Sequence, residues 1–182
     1  MEYLDVYDSN NKPLGFKKEK DAVHRDGDYH HTVHIWLLNE NDELLLQLRS
    51  HDKSNFPGFW DISAAGHVQS GETELQAAVR ELHEELGVKA KESDFEFVTV
   101  VSYCGNQNNE FGYVYLLRCK YGINDYVFED HEVEAVKYVH YLKLKEMIAD
   151  KQKDLLVHNN EEELLFKYIE ENEVWNTEDL KT

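Results

Sequence analysis

Residues 2–7 alternate between apolar and polar side chains, the period of a half-buried strand. Residues 9–13 supply a polar turn containing Pro13, and 14–18 can return as the partner, so an N-terminal hairpin is expected. Segments 32–38 and 43–48 flank the polar turn 39–42 and are apolar enough to lie centrally in a sheet. Later strands are expected at 95–103, 113–120 and 135–141. Between these groups the period changes to that of a helix over 74–86, with Leu75, Ala78, Val79, Leu82 and Leu86 on one stripe. Thr73 followed by Gln76 reads as a capping box, and Gly87 sits where the helix needs a left-handed residue to stop. Two more helices are expected near 143–151 and 161–172. There is no internal repeat and no low-complexity linker, so one domain with a helical tail is the economical reading.

The polar face of the 74–86 helix changes this picture. Residues three and four apart share a helical face, so Glu81, Glu84 and Glu85 converge. Like charges at that spacing cost helix stability, which makes sense if a hard cation such as Mg2+ or Mn2+ neutralises them. The last segment is also acidic: Glu161, Glu162, Glu163, Glu170, Glu171 and Glu173 surround Leu164, Leu165, Phe166 and Ile169, the pattern of a helix with a solvated acidic face. With 19 Lys and Arg against 37 Asp and Glu, the net charge of -18 argues against broad nucleic-acid binding, which needs a basic footprint. A small anionic ligand can still arrive with its cation.

The 182 residues suit one domain with a real core. No apolar run is long enough to cross a bilayer, and the first residues lack the parts of a secretion signal. The expectation is a cytoplasmic protein with no membrane partner, a monomer or homodimer. Cys104 and Cys119 lie on separate apolar stretches without CxxC spacing and are expected to be reduced core thiols.

Gly66, five residues, Glu72, seven residues, then Arg80-Glu81-Leu82, any residue, Glu84-Glu85, any residue, Gly87-Val88 is the pattern of the Nudix box, and every fixed position matches. The chain therefore resembles the Nudix hydrolases. The resemblance implies an α/β protein, a Nudix α/β/α sandwich with a mixed sheet, as a single domain over 1–182. About 1–30 would be hairpin and lead-in, 31–142 the core and 143–182 the C-terminal helices. It implies a metal shell of Glu81, Glu84, Glu85 and the Gly66 carbonyl for Mg2+, with Mn2+ possible, and an ion pair between Glu72 and Arg80. Glu84 is the favoured general base, with Glu85 and Glu110 left open; Glu110 falls in the loop before a strand.

Residues 44–61, LLLQLRSHDKSNFPGFWD, are similar to the corresponding stretch of isopentenyl-diphosphate isomerases and their hydrolytic relatives, which implies that Arg49 and Lys53 bind a diphosphate. An arginine fork and a lysine point charge suit phosphate oxygens. His24, His30 and His67 match positions of a second metal in the isomerases, and Glu110 an active-site glutamate. Asn108 departs from a metal-binding glutamate there, and Ala65 stands where those enzymes have an essential cysteine. An alanine methyl cannot exchange a proton with an alkene. Alternatively, His30, His31 and His34 could be exposed or hydrogen-bonded strand residues. Phe56, Phe59, Trp60, Tyr103, Phe111 and Tyr113 flank the expected site and could stack on a base or cover an apolar group. The expected function is metal-dependent hydrolysis of a diphosphate (pyrophosphate) linkage in a small molecule of the nucleoside-diphosphate-X type or related. The alternatives are an isomerase-like enzyme, opposed by Ala65, and a non-catalytic diphosphate sensor.

Overall fold

Period-two alternation along three neighbouring strands decides the architecture. The computed structural model of the protein describes residues 2–53, 55–105, 108–128 and 131–172. In chain order it contains β1 (Tyr3–Tyr7), β2 (Pro13–Glu19), α1 (Lys20–Asp26), β3 (Tyr29–Leu38), β4 (Glu43–Arg49), β5 (Trp60–Asp61), β6 (Ala64–His67), α2 (Glu74–Leu86), β7 (Phe95–Gly105), β8 (Asn108–Arg118), β9 (Val133–His140), α3 (Tyr141–Ala149) and α4 (Glu161–Glu171). Val33, Ile35 and Leu37 of β3 pack with Leu45 of β4 and Tyr115 and Leu117 of β8 against Ala77, Ala78, Leu82 and Leu86 of α2. The intervening Trp36 and Leu38, with Leu44, Leu46, Val114 and Leu116, face the other way, onto Tyr141 and Leu144 of α3 and Leu165, Phe166 and Ile169 of α4. Alternate side chains of a strand leave opposite faces, so this sheet is covered on both sides and the expected α/β/α layering is present.

The sheet is mixed. β3 and β8 run parallel in register from Tyr29 with Asn109 to Leu38 with Arg118. The ladders of β1 with β2, β3 with β6, β4 with β9 and β7 with β8 are antiparallel. β3 and β4 meet at Leu38 and Leu44 beside their turn and then take different partners, β6 and β8 for β3, and β5 and β9 for β4. That divergence opens the cleft in which the polar residues gather.

The box helix carries its expected signals. The Thr73 hydroxyl accepts from the Gln76 N–H at 3.2 Å, the Gln76 side chain accepts from the Thr73 N–H at 3.0 Å, and Gly87 closes the helix at φ 71°. Its buried stripe is shifted slightly: Ala77 is fully buried, whereas Leu75 and Val79 are only partly so.

Other expectations need correction. Glu110 lies within β8, not in a preceding loop, because pairing with β3 and β7 extends the strand back to Asn108. Cys119 is buried but Cys104, near the end of β7, is exposed with its thiol against the Tyr29 hydroxyl. Glu161 and Glu162 are buried at 0 % and 4 % exposure and do not belong to a solvated face, while Glu173 lies outside the described residues. α1, β5 and β6 were not anticipated, being too short to show a period. α3 starts at Tyr141 because β9 runs into it and the His140 ring accepts from the Leu142 N–H. Among the described residues no helix is long and apolar enough to cross a membrane.

Leu82 joins α2 to the sheet with no exposed surface. Leu82→Ala is expected to lower unfolding stability by about 2–5 kcal/mol in urea titration, and a loss below about 1 kcal/mol would show that α2 is not packed as described.

Candidate active site

The turn into α2 folds back so that one side chain can reach both ends of the box. Arg80 donates through Nε and Nη2 to the two Glu72 oxygens, each at 2.9 Å, through Nη2 to the His67 carbonyl at 2.9 Å, and through Nη1 to Glu81 at 2.6 Å and Glu84 at 3.0 Å. Glu72 also accepts from the Gln69 N–H at 3.1 Å, which ties the entry loop to the same guanidinium. The Arg80 hydrogen bond holds the Glu72 carboxyl below its usual range.

Gly66 explains the other side of the cluster. A Cβ at that position would lie 2.0 Å from the Glu81 carboxyl carbon, so only glycine lets that carboxylate lie against β6. Burial pushes the Glu81 carboxyl up to about 7 against the pull of Arg80. Glu85 is 4 % exposed, accepts from the Ala65 N–H and the Gln47 side chain at 3.2 Å each, and is raised well above the ordinary value, again chiefly by burial. Glu84 is half exposed. Of these three carboxylates, Glu81 and Glu84 share Arg80, and Glu85 lies behind them in a partly dry site. Their oxygens, beside the β6 backbone, form the hard donor set that Mg2+ or Mn2+ prefers, so the residues present fit such an ion.

Part of this cluster lines one cavity of about 680 Å3, within the usual size for a small-molecule site, with Glu85 enclosed behind it. Gly66, Arg80, Glu81 and Glu84 form one wall, and Arg49, Lys53, Lys20 and Glu110 also border it. The cations are not free: Arg49 binds Asp61 at 3.0 Å and the Asn55 carbonyl, Lys53 pairs with Glu132, and Lys20 with Glu2 at 2.9 Å. Of the six aromatics expected near the site, Phe56 and Tyr103 border the cavity. Phe111 is buried beside Tyr29, and Trp60 packs beneath the Lys137 ammonium, 3.6 Å from the ring centroid.

The structure brings His24, His30, His67 and Glu110 together. His24 Nε2 lies 3.3 Å from His30 Nε2 and 3.1 Å from His67 Nε2, and Glu110 lies 3.8 Å from His30. Burial holds the rings of His30 and His67 below the ordinary histidine range, the latter well below. Neutral imidazoles with a carboxylate suit a borderline cation, and the Asp28 carbonyl fixes His30 from behind at 3.1 Å. His31 and His34 are buried and hydrogen-bonded instead, to Glu74 and Asn11 and to Glu161, so neither is an exposed strand residue.

A further network was not anticipated. His158 donates to Asp61 at 2.6 Å, and Asp61 also holds Arg49. Glu161 accepts from His34 at 2.6 Å, Tyr103 at 2.6 Å and the Trp36 indole at 2.8 Å. Burial alone would raise Asp61, yet His158 and Arg49 keep it at about 2; burial would likewise lower His158, yet Asp61 raises it to about 9.

Residues 28–159 match the NUDIX domain model. The chain is 44% identical over 157 residues to Nudix hydrolase 3 of Arabidopsis thaliana, covering 81% of this chain and 20% of that protein, so it spans about a fifth of that relative's length. It is 31% identical over 135 residues to an isopentenyl-diphosphate Delta-isomerase of Pectobacterium atrosepticum, covering 73% of this chain and 72% of the isomerase. Among solved structures, DR0079 from Deinococcus radiodurans superposes with a TM-score of 0.69 at 25% identity, covering 92% of this chain and 99% of that one.

Two outcomes follow from this geometry. Gly66→Ala is expected to stay folded but weaken Mn2+ binding at least tenfold by calorimetry, since Glu81 must move; unchanged binding would remove Glu81 from the cluster. His158 has its folded-state value raised, so its pairing contributes fully below about 6.5 and is lost as pH rises through about 9. Wild type should therefore lose more melting temperature between pH 7 and 10 than His158→Gln, and parallel profiles would contradict the buried pair.

Proposed function

This chain belongs to the Nudix family, and we propose that it is a metal-dependent hydrolase cleaving the diphosphate linkage of a small molecule of the nucleoside-diphosphate-X type or related. The observation that carries the reading is the gathering of acidic side chains of α2 along β6: Glu81 lies against Gly66, Glu85 accepts from the Ala65 N–H, and Glu81 and Glu84 line the cavity that Arg49 and Lys53 also border. Glu81, Glu84, Glu85 and the Gly66 carbonyl would hold a divalent cation, which would offset the charge of the phosphate oxygens and the charge that builds in the transition state. Arg49 and Lys53 bind the remaining oxygens, exchanging part of their pairing with Asp61 and Glu132 for substrate. Water attacks phosphorus, the bridging oxygen leaves with the other phosphate, and a carboxylate takes the water's proton. Glu84 is the assigned base, because it borders the cavity half exposed whereas Glu85 is enclosed. Arg80 and Glu72 hold the box in shape.

A second cation is assigned to His24, His30, His67 and Glu110 on the convergence of their ligand atoms. The isomerase reading shares that cluster, but Ala65 leaves a methyl group and a backbone N–H already donated to Glu85 where an acid would have to stand.

The test is phosphate and monophosphate release from a broad diphosphate panel, with Mg2+ or Mn2+ and with chelator. Release is expected from wild type with metal only, and at least 100-fold slower from Glu85→Gln of unchanged melting temperature. Near-normal turnover of that variant at saturating Mg2+ would refute the ligand role, and silence across the panel would favour a sensor or isomerase. Arg49→Ala should raise KM about tenfold or more with a smaller effect on kcat, and an unaltered KM would remove it from the binding site.

A further inference from the structure

One wall of the cavity plays no part in holding the cation or the diphosphate. His34 on β3 and His158 before α4 stand side by side there, with ring centroids 5.5 Å apart. Each ring uses one nitrogen to donate to a buried carboxylate at 2.6 Å, His34 Nδ1 to Glu161 and His158 Nε2 to Asp61. The other nitrogens, His34 Nε2 and His158 Nδ1, are not among the buried side-chain atoms that lack a partner, and they have no hydrogen bond among the described residues. They are therefore open to the cavity. The side chains themselves are 7% and 21% exposed, so a ligand must come to them.

We propose that His34 and His158 form an oxygen-recognition subsite that selects diphosphates whose attached group presents hydroxyl, carbonyl or acid oxygens over those carrying a hydrocarbon. The inference deepens the diphosphate hydrolase reading and rests on it. Asp61 bridges His158 to Arg49, so the subsite begins one carboxylate away from the cation assigned to the diphosphate. The group attached to that diphosphate is thus the part of a ligand that reaches the two rings. Burial opposes charge on both, but Asp61 raises His158 to about 9, so its open nitrogen carries a donor proton at neutral pH, and Glu161 behind His34 raises that ring above the ordinary histidine value. A hydrocarbon seated there would strip water from both polar nitrogens and return nothing, whereas oxygen-bearing groups replace that water.

His34, His158 and Glu161 also lie close enough to hold a metal ion. The Glu161 oxygens are already engaged by His34, Tyr103 and the Trp36 indole, which disfavours that use. The donor array also explains why the wall is polar although Tyr103 and Phe56 border the same cavity.

The test uses three non-hydrolysable probes with Mg2+ in titration calorimetry: methylenediphosphonate itself, the methylene-bridged analogue of adenosine diphosphate, and the methylene-bridged analogue of isopentenyl diphosphate. Wild type is expected to bind the adenosine probe at least tenfold more tightly than the isopentenyl probe. That ratio should fall at least fivefold in His158→Phe, or in His158→Met should the former not fold. Equal binding of the two headed probes, preference for the isopentenyl probe, or an unchanged ratio in a folded variant would overturn the subsite while leaving the hydrolase reading intact, provided methylenediphosphonate binds. Failure of wild type to bind methylenediphosphonate would overturn both.

Discussion

The Arg80 guanidinium is the interaction on which the site depends. It joins the entry loop at Glu72, the end of β6 at the His67 carbonyl, and the acidic face of α2 at Glu81 and Glu84. One planar group with five donors ties these three segments together. Without it, Glu81 and Glu84 would lose their cationic partner and face each other across repulsion, although the apolar stripe of α2 would still hold the helix on the sheet. The Gly66 position completes the arrangement from the opposite side by leaving space for the Glu81 carboxylate.

The scaffold holding this hub follows from alternation. Odd residues of β3 anchor α2, and even ones anchor α3 and α4, so the catalytic helix and the C-terminal helix approach the cleft from opposite faces. His34 occupies an even position and meets Glu161 of α4 across the sheet face, while Val33, its neighbour, packs under α2 beside Gly66. The cavity is therefore built by both layers, metal-type ligands from one and imidazoles from the other.

Much of this was legible in the chain because it is local. The capping box, the glycine stop and the grouping of Glu81, Glu84 and Glu85 all fall within one helix, and strand alternation marks the central sheet. The network of His34, His158, Asp61 and Glu161 was not legible, because its partners lie 127 and 97 residues apart. A glutamate in the first turn of a helix is favoured by the helix dipole at the surface, so nothing in the sequence around Glu161 distinguishes a solvated side chain from one buried against a histidine. Cys104 departs from the core expectation for a similar reason: it sits near the end of β7, where the apolar run continues but the cover does not. Asn108 and Asn109 resemble turn residues and so point to a loop at Glu110, yet the ladder to β3 carries them into the strand.

Ala65 separates two chemistries that this cavity could otherwise share with its isomerase relatives, since the histidine cluster and the basic residues are compatible with either. The measurement that tests the central claim most directly is turnover of the best diphosphate substrate with Mg2+ in 18O-enriched water, followed by mass spectrometry of the products. One 18O atom in a phosphate product, with the carbon skeleton unchanged, is the expected result. An intact, unlabelled diphosphate attached to a rearranged skeleton would contradict it.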